Sequence, residues 1–574
     1  MKYKKITSSE LTSLIIQMDP VIFEKIEFTE NINIHNKEIK FINCLFLENV
    51  ELSTDIYNKF LIKNCVFEKN LKFNKTVNEI NLKNNIIKGT FFISEATRNI
   101  FIEKGDYNEI TVQSSKAAYY VGDVFKISNA KCDFIKFEGE DLNRVLEFSN
   151  SEIETIIIET NNVSHENIII KDESKINYLF FNNNHINIPY VFDFDNAYVF
   201  HFAFQSCSFS HRLEFAKGKI EELNFHKVTF KEQTIISEHF IVGIFNFNSV
   251  KSEYEISIAY HSKIGTLNID NCDLNLSFWI FDEEKRDLEN KISIKIGGTF
   301  NGNIHIENIP ANIHLSCINS GTIFLNNIYS KLIIFQYFFN YNKLILNNFK
   351  RDKDYNALII SESNLNETEF VNFDFDKFDE VVISRSNVSN MLLTNTIFPK
   401  KIQIESKNPQ LGYIVDFEDN IGKNVYFRDS YRQLKNVMEK HKNKHVALIY
   451  KSKEMYYQKK ELKFGFNWFT LLLNQISNNH GISWQRGVFF TILLSVIFFI
   501  LYNFTLADPF FYWDNIVINK QNVFDKFIEF LASFPKLSIV KQETTLSTIV
   551  IILSKIFISY GIYQTIVAFR KYGK

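Results

Sequence analysis

Lys555 is the only charged residue in the 26-residue run Thr544–Phe569. At 1.5 Å per helical residue it stands about 16 Å from one end of that run and about 21 Å from the other. An ammonium that deep in an apolar helix cannot easily reach either surface, so it must face protein, a water-filled path or a counter-charge. At 100° per residue Thr544, Thr548, Lys555, Ser559 and Tyr563 fall on one side, with Ile551 and Ile552 close to the same stripe. A stripe of this kind could line a pore, where a ring of ammonium groups favours anions or blocks cations. A lysine paired inside a helical bundle, or a span that starts later, accounts for the same residues, and both readings stay open.

A second set of candidates is basic. Between Tyr431 and Arg486 eleven Lys and Arg stand against Glu439, Glu454 and Glu461, a local balance of +8 in a chain whose net charge is -2. Arg432, Lys435, Lys442, Lys444, Lys451, Lys453, Lys459 and Lys460 could hold anionic lipid headgroups. An anionic ligand such as a nucleotide or a single-stranded oligonucleotide would suit them too.

No catalytic constellation accompanies these charges. The sequence has no Walker loop, no GxGxxG, no HExxH and no GxSxG. The six cysteines, Cys44, Cys65, Cys132, Cys207, Cys272 and Cys317, stand singly, so neither a metal site nor any cofactor is expected. Small buried residues of a repeat, in a reducing compartment, fit them better. The chain is not expected to be an enzyme. Basic residues lead the N-terminus, but the run Leu11–Met18 is broken by Thr12, Ser13 and Gln17, so no signal peptide is expected.

The elements that must position these groups divide by pattern. From about Phe28 to Ser406 short alternating strands recur, as in Phe192-Asp-Phe-Asp, Phe245-Asn-Phe-Asn and Phe370-Val-Asn-Phe-Asp-Phe. A small residue, a spacer and an apolar residue mark many of them. The pairs are Cys44 with Phe46, Cys65 with Phe67, Cys207 with Phe209, Cys272 with Leu274, Ser363 with Leu365, Ser386 with Val388, and Thr396 with Phe398. Asn43, Asn64 and Asn271 stand beside three of the small residues, where Asn tolerates a left-handed backbone and can bond along a stack. The spacing of 20 to 23 residues predicts stacked coils, each buried only against its neighbours. After Pro409 helical spacing takes over. Asp429 or Ser430 is expected to cap a first helix, and a second is predicted over about His445–Lys463. Gly487–Ala507 (21 residues, no charge) and Thr544–Phe569 are each long enough to span a bilayer. Between them Phe524, Phe527, Ile528 and Leu531 predict an amphipathic helix capped by Asn522 and ended by Pro535, either interfacial or re-entrant.

The small-x-apolar units resemble the pentapeptide-repeat family, whose coils form a right-handed β-helix. Tyr431-Arg-Gln-Leu-Lys-Asn, Tyr456-Tyr457, Asn479-His-Gly-Ile-Ser-Trp and the end Ile562-Tyr-Gln-Thr-Ile-Val-Ala-Phe-Arg-Lys are similar to pentapeptide-repeat membrane proteins that close with a two-span, ion-channel-like pair. The fold class expected is therefore mainly β: a right-handed β-helix followed by an α-helical hairpin and two transmembrane helices. The expected divisions are an N-terminal cap (1–27), a β-solenoid (28–408), a linker with hairpin and pre-membrane helix (409–480), and a two-span domain (481–574). Two helices cannot enclose a water path alone, so a pore of this kind is expected to be a homo-oligomer such as a tetramer. Channels of this build occur in anti-phage defence, the Hailong system among them, beside a nucleotidyltransferase-like partner that would supply an oligonucleotide.

Arg486, Arg570, Lys571 and Lys574 flank the outer ends of the two spans, which predicts both termini in the cytoplasm; the resemblance implies a bacterial inner (cytoplasmic) membrane. The expected function is a gated pore controlled from the cytosolic side, a toxic effector by the resemblance. The alternative is a membrane-tethered solenoid scaffold for protein partners.

Overall fold

The computed structural model describes residues 4–6, 21–406 apart from short inter-strand segments (the longest is 280–291), 420–506, 520–532 and 544–570. Two units divide it: residues 1–359, 367–379 and 394–400, and residues 360–366, 380–393 and 401–574.

The first unit is a parallel β-solenoid. One inward position can be followed through successive coils as Ile6, Phe28, Phe46, Phe67, Ile87, Tyr107, Cys132, Ile153, Ile176, Val199, Ile220, Val242 and Ile264, each in parallel register with the next. All thirteen are buried. Strand neighbours lie about 4.8 Å apart, so aromatic rings at equal positions stack. Phe28, Phe46 and Phe67 do so at 4.7 and 4.4 Å, and Phe204, Phe225 and Phe247 at 5.1 and 5.5 Å. The 59 phenylalanines of the chain thus include such inward columns. Pairing already begins at Lys4–Ile6, ahead of residue 28.

The corners explain the small residues. Each of those read from the sequence directly follows a residue with left-handed φ: Asn43, Asn64, Ser206, Asn271, Glu362, Arg385 and Asn395. The chain turns sharply there, and the next side chain points into a confined corner that a thiol or hydroxyl fills. Cys44, Cys65, Cys207 and Cys272, with Ser363 and Ser386, each donate back to the carbonyl two residues earlier. All six cysteines are free and buried. Asn side chains at the left-handed positions bond from coil to coil: Asn84 to Asn64 at 2.9 Å, Asn64 to Asn43 at 3.0 Å, and Asn150 to Asn129 at 2.6 Å.

The second unit includes the strand Glu380–Ser384, buried at every position. Helix α1 (Asn420–Lys440) covers the face that water would otherwise meet. Ser430 donates to the Ile383 carbonyl at 2.9 Å, and the Tyr431 hydroxyl accepts from the Ile402 amide at 3.3 Å. Asp429 and Ser430 lie inside this helix rather than at its cap, because it starts nine residues earlier, at Asn420. Next come α2 (Lys444–Glu461, capped by Asn443), α3 (Phe466–Asn478), α4 (Trp484–Thr505), α5 (Lys520–Ala532) and α6 (Thr545–Phe569). Asn522 falls in the first turn of α5 rather than before it, and Pro535 lies outside the described residues. Two of these helices, α4 and α6, are long and apolar enough to cross a membrane, and each is only 28% buried.

Candidate functional site

The two long helices pack antiparallel. Trp484 stacks on Phe569 at 4.7 Å at one end, and Thr544 Oγ1 donates to the Thr505 carbonyl at 2.7 Å at the other. Small residues along both helices let the backbones approach closely. Gly487, Ser495 and Asn503 are buried along α4; Ser547, Ser554, Gly561 and Ala568 are buried along α6. A Cβ at Gly561 would meet Thr491 Oγ1 at 2.6 Å, and one at Gly487 would meet Thr565 Oγ1 at 2.7 Å. This seam went unread in the sequence, although Gly487, Thr491 and Ser495 at four-residue spacing carry its signature.

The polar stripe lies off the seam except at Thr544, whose hydroxyl is spent on the Thr505 carbonyl. Thr544, Thr548 and Lys555 are half-buried, while Ser559 and Tyr563 are exposed. At 100° per residue the stripe is centred about a third of a turn from the seam. Ile551 and Ile558 occupy the arc between them and pack with Phe499 and Phe530. Helix α5 supplies Phe530, with Val523, Phe527 and Leu531 beside it, so it lies along the last two turns of α4. Phe524 and Ile528, expected on its apolar face, are exposed instead.

The eight basic candidates separate into groups. Glu454, buried between α1 and α2, accepts from Arg432 Nε at 2.9 Å and from Lys435 Nζ at 3.0 Å. Those two cations therefore stabilise a buried carboxylate and hold the hairpin together. Lys442 and Lys444 are exposed at the turn between α1 and α2, Lys451 is exposed, and Lys453 is half-buried. Lys459 donates to Gln475 of α3 and lies 5.9 Å from the Trp468 ring centre. Lys460 sits over Tyr456 and Tyr457 at 4.7 and 5.5 Å.

A buried amide cluster joins α3 to α6. Asn478 Nδ2 donates to Gln564 Oε1 at 2.6 Å, Gln564 Nε2 to Asn474 Oδ1 at 2.9 Å, and the Tyr560 hydroxyl to the same oxygen at 2.6 Å. The turn that follows α3 runs left-handed through Asn479, His480 and Gly481. A non-glycine residue rarely adopts that backbone, and two in succession mark a joint held by its surroundings.

His480 in that joint is buried, and its Nε2 has no hydrogen-bond partner. Burial, with Lys459 and Lys451 adding positive charge, pushes its imidazole down to about 4. The unfolded chain binds a proton that the fold excludes, so this contribution is complete above the ordinary value of about 6.5 and is lost as pH falls towards 4. The thermal midpoint is expected to drop between pH 7.5 and pH 5. His480→Asn keeps the left-handed turn and removes the titration, so it should shrink that drop. An equal drop in both proteins would take His480 out of the account.

No protein-family model, curated protein or solved structure matches this chain.

Proposed function

We propose that the chain is the subunit of a homo-oligomeric membrane pore, opened or closed from its cytosolic side. The observation that carries this reading is the placing of the polar stripe. Small residues close the α4–α6 seam without it, so Thr548, Lys555, Ser559 and Tyr563 are left on another face of a mid-membrane helix. Two helices enclose no path by themselves. Several copies, with this face inward, would give the stripe water.

In this reading both termini lie in the cytoplasm of a bacterial inner membrane, and the solenoid takes a ligand or protein partner there. An oligonucleotide from a nucleotidyltransferase-like partner is the candidate that the resemblance supplies, and a toxic role in anti-phage defence comes from the same source. The ligand acts through its different affinity for the closed and open states. No catalysis is assigned. A second reading, a membrane-tethered scaffold, is favoured by the completeness of the seam, since a packed hairpin needs no further copies to be anchored.

Conductance of the purified protein in planar bilayers separates the two. Discrete current steps are expected for the pore. Silent bilayers that contain inserted protein, with and without cytosolic extract, leave the scaffold.

A further inference from the structure

At the cytosolic end expected for the spans, α2, α3 and α4 enclose an open groove of about 540 Å³. Its rim carries two cations, Lys459 and Arg486, and its floor is apolar: Leu472, Ile476, Phe489 and Leu493. We propose that this groove holds an anionic phospholipid, with its phosphate between Lys459 Nζ and the Arg486 guanidinium and an acyl chain along Phe489 and Leu493. The proposal rests on the reading of α4 and α6 as membrane spans.

Two observations favour a lipid over a soluble anion, and two more favour an anion of either kind. The floor continues down the outer face of α4, where Phe489 is 68% and Leu493 45% exposed, so a small anion would leave that surface uncovered. Trp468, whose ring lies near Lys459, packs against Phe464, and Phe464 and Phe466 are 87% and 84% exposed, as aromatic side chains are at a headgroup boundary. The rim is free of acid from α2's last turn, because Glu461 is engaged by Arg428. Lys459 is steered by its bond to Gln475 and by the Trp468 ring, which hold its ammonium over the groove.

The site also bears on the joint between helices. Gln475 stands next to Asn474, which binds Gln564 and Tyr560 of α6. A lipid drawing Lys459 and Arg486 together would clamp α2 and α3 onto the start of α4, at the point where the hairpin meets the second span.

Native mass spectrometry of the full-length protein in detergent, equilibrated with dioleoyl phosphatidylglycerol or dioleoyl phosphatidylcholine, reads the site directly. Retention of the glycerol lipid and not of the choline lipid is expected. Each charge near a membrane surface is worth about a fivefold change in binding. Lys459→Gln and Arg486→Gln should each weaken retention by about that factor, and the pair by about 25-fold. Lys442→Gln with Lys444→Gln should change nothing. Leu493→Ser, which keeps both charges, should weaken retention as well. Equal retention of the two lipids overturns the proposal. So does retention unchanged in the double variant, or displacement of the lipid by excess inorganic phosphate, which would mark a soluble-anion site. Extraction of cell membranes with alkaline carbonate keeps the two failures apart: loss of the protein from the membrane fails the span reading itself, whereas a retained protein without lipid selectivity fails only the groove.

Discussion

Gly561→Leu is expected to force the two long helices apart and to cost roughly 3 kcal/mol, a fall of about 6–12 °C in the thermal midpoint of the helical unit in detergent. The reason is local. Even the first carbon of a side chain at this position would stand 2.6 Å from Thr491 Oγ1 and 3.3 Å from the Thr491 Cα. The hydroxyl can rotate but the backbone cannot, so the helices must separate. Separation strips the seam of the close packing that holds helices together where water is absent. Gly561→Ala should show a smaller loss of the same sign, and Thr491→Ala should restore part of it, because the two positions share one contact. Gly465→Ala is the control: a Cβ there meets only the Lys463 carbonyl, at 3.9 Å. Similar falls at Gly465 and Gly561, or no rescue by Thr491→Ala, would show that the seam does not hold the spans.

The repeat was legible in the sequence because its signal is doubly determined. The left-handed corner selects Asn or another tolerant residue, and the buried position that follows takes a small side chain in the coils that the pattern marked, though Ile309, Ile328 and Phe373 fill it elsewhere. Asn43-Cys44 and Asn64-Cys65 therefore announce both the turn and the coil length. The two long apolar helices were legible because length and the near-absence of charge mark them. Helix starts were read less well. Ser430 has the chemistry of a cap but spends its hydroxyl on the Ile383 carbonyl of a strand, a contact that no local pattern encodes. The partners of the basic hairpin were hidden in a similar way. Counting charge gave a binding face of eight cations, while the structure pairs two of them, Arg432 and Lys435, with buried Glu454. The amide cluster of Asn474, Asn478 and Gln564 was invisible for a further reason: Gln564 lies 86 and 90 residues from its two partners, and each alone reads as an ordinary helix-surface residue.

Lys555→Glu is expected to reverse the charge preference of the pore, and Lys555→Leu to lower its conductance or abolish toxicity on overexpression. A charged side chain at the centre of a span costs about 2.5–3.5 kcal/mol to insert. The lysine is half-buried, off the seam, and one turn from exposed Ser559. If copies assemble with this face inward, one ammonium per subunit forms a ring near mid-membrane, and the potential in that ring repels cations. Replacing it by carboxylates inverts the field, so the reversal potential measured under a salt gradient should move towards the cation equilibrium value. Leucine removes the field and dries the constriction, which lowers current without altering the seam. A scaffold predicts the opposite ranking: Lys555→Leu would insert at least as well as the natural chain and lose nothing, since the anchor would be relieved of a charge. Unchanged selectivity in Lys555→Glu together with unchanged conductance in Lys555→Leu, at normal expression, would remove Lys555 from any pore and turn the assignment to the scaffold.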